Sequence, residues 1–170
     1  MAAPNFELEW WIRKVAQGDR DALEKLYRAT GTAVYAYALS ITKSPQDAED
    51  VLQDCYISIW RSAGGYRSQE KAMAWIMTIT RNLCYKHLQK QKRYLSLENN
   101  DFWGKTDADP EERLLVRQCM TVLTEEERQI VILHAVAGCR HREIAQMLQL
   151  KTGTVLSKYH RAIQKLRDAL

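Results

Sequence analysis

The sequence is poor in the residues that punctuate loops and β structure. Its 170 residues include three prolines and seven glycines. That scarcity excludes a collagen-like repeat, a long disordered chain and a many-turned β-sandwich, which would need frequent turn signals. No apolar run approaches the ~18 residues of a membrane-spanning helix. The opening Met1-Ala-Ala-Pro-Asn-Phe-Glu-Leu-Glu lacks the basic-then-apolar form of a secretory signal. A cytoplasmic location without direct membrane insertion is expected. Cysteine is sparse as well: Cys55, Cys84, Cys119 and Cys139 form no CxxC pair. Each falls in a helical apolar pattern and reads as a small buried hydrophobe rather than a disulfide partner. The nearest approach to a metal cluster, His134, Cys139 and His141, matches no zinc spacing. The HExxH, GxSxG, GxGxxG and P-loop patterns are absent, and the four histidines are scattered. A non-catalytic protein with no metal and no cofactor is expected.

What the chain has instead is charge in blocks. The net charge is only +4. Yet Pro45 to Trp60 carries four acids (Asp47, Glu49, Asp50, Asp54) and no base, while Arg81 to Tyr94 carries five bases and no acid. Leu95 to Glu112 carries six acids against one lysine, and Arg140 to Arg167 seven bases against one acid, Glu143. Segregation of this kind points to several distinct contact surfaces. Two separate basic stretches point to two nucleic-acid contacts.

The dominant apolar period is helical, and period-two strand patterns are absent, so the fold class is all-α. Leu8, Trp11, Ile12 and Val15 share one face of a first helix that Gly18 stops. Asp19 is placed to cap a second, with Gly31 a weak point within it. Ser44-Pro45-Gln46-Asp47 starts a third: serine caps, proline takes the first helical position, and Asp47 is placed to reach back as in a capping box. Gly64-Gly65 ends it. A fourth helix runs from Ala72 to about Gln91. Periodicity is then lost from Tyr94 to Pro110, where Asn99-Asn100-Asp101 and Asp107-Ala108-Asp109 mark a domain boundary. Pro110 and Thr124-Glu125-Glu126-Glu127 start two further helices, and two shorter ones follow to Leu170. Two small helical domains joined by an acidic linker are expected.

The last two helices form the most specific pattern. Ile144, Ala145 and Leu148 make the inner face of a short helix, Leu150 fills a turn, and Val155 anchors the next helix. This is helix-turn-helix spacing, in which the second helix enters the DNA major groove. It would present Lys151, Thr152, Thr154, Lys158 and Arg161 outward, the residues near its start to base edges and the cations to phosphates. Gln149 stands in the turn where glycine is common, and Arg140 and Lys151 occupy cap positions that favour Ser or Thr.

In the front half, Asp47, Asp50 and Asp54 share one face of an amphipathic helix, either solvated or docked on a basic protein surface. Tyr66, Arg67, Trp75, Arg81, Asn82, Tyr85, Lys86 and Lys90 interleave bases with aromatics, which suits stacking of single-stranded bases while cations track phosphates. Trp75 is open to a core role, and Tyr66, beside two glycines, is expected to be exposed.

The order of these parts resembles the bacterial extracytoplasmic-function sigma factors. The segments AQGDRDALEKLYRATGTAVYAYAL, DAEDVLQDCYISIW, AMAWIMTITRNLCYKHLQKQKR and LTEEERQIVILHAVAG with the helix-turn-helix carry the likeness from about Trp10 to Leu170. The resemblance implies sigma region 2 over residues 1–94, an acidic linker over 95–112 threading the polymerase cleft, and sigma region 4 over 113–170. It places Asp47, Glu49, Asp50, Gln53 and Asp54 on the β′ clamp helices of core RNA polymerase. It assigns Tyr66, Arg67, Trp75, Arg81, Asn82, Tyr85 and Lys86 to recognition and melting of the −10 element with capture of a flipped base. Lys151, Thr152, Thr154, Lys158 and Arg161 would read the −35 element, and Leu156 departs from the lysine common there. The implied partners are core polymerase (β′ clamp helices and β flap), promoter DNA and a cognate anti-sigma factor, able to hold the chain at the inner membrane face. Two other functions compete. A stand-alone dimeric helix-turn-helix regulator leaves the acidic and aromatic–basic helices without a purpose and has no dimerisation heptad. An enzyme has no nucleophile–base set.

Overall fold

A computed structural model describes residues 4–92 and 110–169, and the described residues contain helices and no strand. The front half comprises α1 (Asn5–Val15), α2 (Arg20–Thr42), α3 (Pro45–Ser62), a 3₁₀ turn (Ala63–Gly65) and α4 (Ala72–Lys92). The back half comprises α5 (Pro110–Val122), α6 (Glu125–Val131), a π-helical turn (Ile132–Val136), α7 (His141–Leu148) and α8 (Thr152–Asp168). The acidic stretch between the halves lies outside the described residues as far as Asp109.

Helix starts follow local chemistry. The Asp19 carboxylate accepts from the Ala22 N–H at 3.1 Å. Ser44 Oγ accepts from the Asp47 N–H at 3.3 Å with Pro45 next to it. Thr124 and Glu127 cap each other reciprocally, satisfying two orphan N–H groups of α6. Two expectations need correction. Asp47 does not reach back to its own helix start: its carboxylate crosses to α4, 3.0 Å from His87 Nε2 and accepting from Gln91 Nε2 at 2.6 Å. Gly31 does not interrupt α2, which runs unbroken through it, because its flanking turns are buried on neighbouring helices.

α2 is the central strut of the front half. Leu26, Val34, Tyr37 and Leu39 on it meet Ile12 of α1, Val51, Cys55 and Ile59 of α3, and Ile76, Met77 and Cys84 of α4 in one apolar core. Two polar pairs sit inside it: Thr30 Oγ1 lies 2.6 Å from the Tyr56 hydroxyl, and Thr80 Oγ1 lies 3.4 Å from Cys55 Sγ. The same core continues into the back half through Ile130, Ile132, Leu133 and Ile144. A smaller cluster of Cys119, Leu123, Val131, Ala162 and Leu166 ties α5, α6 and α8 together. All four cysteines are buried as free thiols, as small core hydrophobes are expected to be.

Polar contacts join the halves, with Gln129 at their centre and a Lys43–Glu125 ion pair at 3.8 Å beside them. The buried Tyr37 hydroxyl donates to Gln129 Oε1 at 3.2 Å, and Gln129 Nε2 donates to the Tyr85 hydroxyl at 3.4 Å. α7 therefore comes to rest beside α4.

Candidate nucleic-acid and polymerase interfaces

Three surfaces are assembled from the residues singled out above. The first is the outer side of α3. Asp50, Gln53 and Asp54 are exposed, and Asp47 and Glu49 half-buried. Val51, Cys55 and Ile59 turn inward and fix the helix's rotation. With Asp47 held by His87 and Gln91, the fully exposed acids are Asp50 and Asp54, separated by about one helical turn. Among the described residues, Asp47, Asp50 and His87 alone bring three possible metal-binding atoms within 4.8 Å. Asp47 is already occupied by His87 and Gln91, so the group acts as a helix-to-helix tie. No organised metal or catalytic centre appears among the described residues.

The second surface is a cleft of about 610 Å³ between the loop after α3, the first half of α4, and α7. Tyr66 and Trp75 stack at its side with ring centroids 4.6 Å apart. Arg67, Lys71 and Arg81 bring three cations to its lining, and Thr78 and Gln146 add neutral polar groups. The expected exposure of Tyr66 is corrected: it is half-buried, and its hydroxyl donates to Glu9 Oε1 of α1 at 2.6 Å. Burial raises the Tyr66 hydroxyl pKa, and the Glu9 carboxylate adds to it. This bond joins residues 57 apart, so no local pattern announces it. Trp75 is half-buried too, one side on the core and the other on the cleft. The Arg81 guanidinium lies 4.8 Å from the Tyr85 ring centroid. Its Nε is buried without an acceptor among the described residues. Asn82 and Lys86 stand on the exposed side of α4, outside the cleft lining. Glu143, Gln146 and Met147 on the facing wall come from α7, which the sequence pattern assigns to a different surface.

The third surface is α8. The turn before it closes as the spacing requires. Gln149 adopts the left-handed conformation at φ 56°, and the Leu150 N–H returns to the Ala145 carbonyl at 2.9 Å. Arg140 precedes α7 without donating a cap, since a guanidinium has no acceptor. Glu143 Oε2 instead accepts from the Arg140 N–H at 2.7 Å. Val155 is fully buried, with Ile144 and Ala145 beneath. Lys151, Thr152 and Arg161 are exposed and Thr154 is half-exposed. Lys158 departs from its expected outward place: its Nζ pairs with Glu126 of α6 at 2.8 Å. Behind the helix, His134 and His141 stack at 4.1 Å, and Tyr159 meets both edge-on. His134 Nδ1 lies 2.9 Å from the Cys139 carbonyl oxygen. Burial, with His134 and His160 nearby, lowers the His141 pKa.

Comparison with known proteins follows the same division. Residues 26–94 match the model for sigma-70 region 2, and residues 113–166 match that for sigma-70 region 4. The chain is 27% identical over 176 residues to the ECF RNA polymerase sigma factor SigK of Mycobacterium ulcerans, covering 96% of this chain and 94% of that protein. It is 27% identical over 177 residues to SigK of Mycolicibacterium vanbaalenii, covering 96% and 89%. Among solved structures, CnrH in complex with the cytosolic domain of CnrY superposes with a TM-score of 0.64 at 21% identity, covering 96% of both chains. RpoE of Bartonella quintana in complex with the anti-sigma factor NepR superposes with a TM-score of 0.65 at 22% identity, covering 85% of this chain and 94% of that one. At such identity the superpositions establish a shared fold.

Proposed function

Because the chain belongs to the sigma-70 family, as a factor of the extracytoplasmic-function type that directs RNA polymerase to promoter elements, we propose how its three surfaces divide that work. The exposed acids of α3 dock on the basic β′ clamp helices of core polymerase. The cleft between Tyr66 and Arg81 takes a base flipped from the melted −10 element. The exposed start of α8, with Arg161 one side further on, reads the −35 element, and the back half rests on the β flap. Residues 1–94 and 113–170 are the two working units, and the acidic stretch 95–112 threads the polymerase cleft between them.

The observation that carries this division is the front-half wall of the cleft, from Tyr66 to Arg81. A flipped base costs a few kcal/mol of unstacking, which a new stacking partner and hydrogen bonds must offset. The Tyr66–Trp75 pair supplies aromatic faces, and Arg67, Lys71 and Arg81 supply phosphate contacts. The Arg81 Nε is a buried donor still in need of an acceptor, which a base edge or phosphate provides.

No described helix is long and apolar enough to cross a membrane. We place the protein in the bacterial cytoplasm, where a cognate anti-sigma factor restrains it and can hold it at the inner membrane face. The similar RpoE was solved with the anti-sigma factor NepR, and CnrH with the cytosolic domain of CnrY.

The test is transcription in vitro from fragmented genomic DNA of the source organism, with purified core polymerase with and without this chain. Discrete start sites that appear only with the chain are expected, and their upstream DNA gives both elements. No new starts and no co-elution with core would replace this assignment with a free-standing duplex-binding regulator.

A further inference from the structure

The outer face of α1 carries two large aromatics that the fold does not use. Leu8, Ile12 and Val15 bury the inner face, while Phe6 and Trp10, one turn apart, are 72% and 53% exposed. With Trp11 and Glu7 they line a shallow groove. Lys14 Nζ lies 5.0 Å from the Trp10 ring centroid, and Arg13 is exposed beside it. Aromatic planes interleaved with cations make a poor seat for an aliphatic protein helix and a good one for bases and phosphates.

The position of this face supports the same ligand. At 100° per residue, Arg13 and Phe6 lie between Trp10 and the edge of α1 that bears Asn5 and Glu9. That edge is fastened at one end to a residue of the cleft lining and at the other to the start of α4. Glu9 accepts from Tyr66, and Asn5 Oδ1 accepts from the Met73 N–H in the first turn of α4 at 3.3 Å. The aromatic face therefore adjoins the edge of α1 that is tied to Tyr66 of the cleft lining, on a rigid element.

We propose that α1 carries the single-stranded DNA adjoining the captured base, with nucleotides stacked on Phe6 and Trp10 and their phosphates against Arg13 and Lys14. This rests on the assignment of the cleft to the −10 element. Stacking of this kind is indifferent to base identity, so the surface stabilises the melted strand without adding sequence preference.

The experiment uses holoenzyme assembled from core polymerase and the full chain, on a promoter fragment whose start site has been mapped as above. A photoreactive benzoylphenylalanine replaces Trp10, and the non-template strand is labelled. Crosslinks to that strand within a few nucleotides of the melted −10 element are expected. In the double variant Phe6→Ala, Trp10→Ala, permanganate reactivity of unpaired thymines should fall about tenfold, the loss expected from stacked bases. Trp10→Tyr should retain most of it, and core affinity should not change. Trp75→Ala is run in parallel and separates the two claims. If it leaves opening intact, the cleft assignment fails and the inference fails with it. If Trp75→Ala abolishes opening while the α1 variants open normally, the inference alone is overturned. Crosslinking of position 10 to a polymerase subunit, an anti-sigma protein, a second copy or nothing overturns it likewise.

Discussion

Gly31 lies mid-helix in α2, where glycine's conformational freedom has no use. A methyl group added there would meet the Tyr27 ring and the Tyr56 hydroxyl at 3.9 Å, ordinary van der Waals contact. Alanine should therefore gain the helix propensity without a clash. Gly31→Ala is expected to stabilise the protein by about 0.5–1 kcal/mol, a rise of roughly 1–4 °C in a thermal melt for a chain of this size. A lowered melting temperature would mean that the neighbouring rings cannot accept the methyl. The cysteines give a second test at this scale. Burial pushes the Cys55 thiol up to about 11 and those of Cys84, Cys119 and Cys139 up to about 12. Thiolate is the reactive form, so an aromatic disulfide reagent at neutral pH should label none of the four rapidly in the folded protein and all four after denaturation. Rapid labelling of one thiol in the native state would mark a redox-responsive position instead.

At the scale of the element, α6 and α8 are joined through Glu127. Burial alone would raise its pKa, but Lys165, whose Nζ lies 2.8 Å from both carboxylate oxygens, and the Thr124 backbone and side-chain donors hold it below the usual range. A carboxylate depressed in the folded state adds stability above its unfolded pKa, near 4.3, and that stability is lost as pH falls through the folded value. Glu127→Gln should cost about 1 kcal/mol at pH 7 and flatten the acid side of the stability–pH curve. An acid limb identical to wild type would exclude this link as its source. On α3, Asp50→Lys and Asp54→Lys reverse exposed charges and should weaken core binding without changing the melting temperature; unchanged core affinity in both would remove the docking assignment. On α8, Arg161→Ala should weaken promoter binding with core assembly intact, and Lys158→Ala should do less, because Lys158 is paired with Glu126. Elements of this kind were largely legible in the sequence. Ser44-Pro45 and Thr124 with Glu127 announce helix starts because capping acts across three residues, and Leu150 and Val155 announce the helix-turn-helix through short-range packing. The partners of Asp47, Tyr66 and Gln129 were not legible, since each lies on another helix brought close by the fold. Phe6 and Trp10 left a fainter sign: two aromatics on the polar face of an amphipathic helix.

The whole molecule presents a geometric conflict with its own function. Elements at −10 and −35 are about 25 base pairs apart, which at about 3.4 Å per pair is roughly 85 Å of duplex. A compact chain of 170 residues has a radius of gyration of about 15 Å and a span of roughly 40 Å. Here α7 borders the very cleft assigned to the −10 element, and one apolar core runs through both halves. The chain cannot read both elements in this arrangement, so the halves must part when it joins polymerase and DNA. The contact to be broken is partly polar, with Gln129 shared between Tyr37 and Tyr85. Its hydrogen bonds are regained from water on separation, so each opposes opening by only about 1 kcal/mol. Tyr37→Phe removes one donor and leaves the buried Gln129 oxygen short of a partner. It should favour the parted form by about 1–2 kcal/mol, a shift of some five- to thirtyfold in population. Dyes on cysteines introduced at the exposed positions Arg28 and Gln164 would report this, given that the native thiols are buried. Energy transfer should be high in the free chain, drop on binding core polymerase and promoter, and show a larger low-transfer fraction in free Tyr37→Phe. Transfer that stays high in an actively transcribing holoenzyme would mean that the halves remain together, and that one of the two DNA contacts assigned here belongs to some other surface.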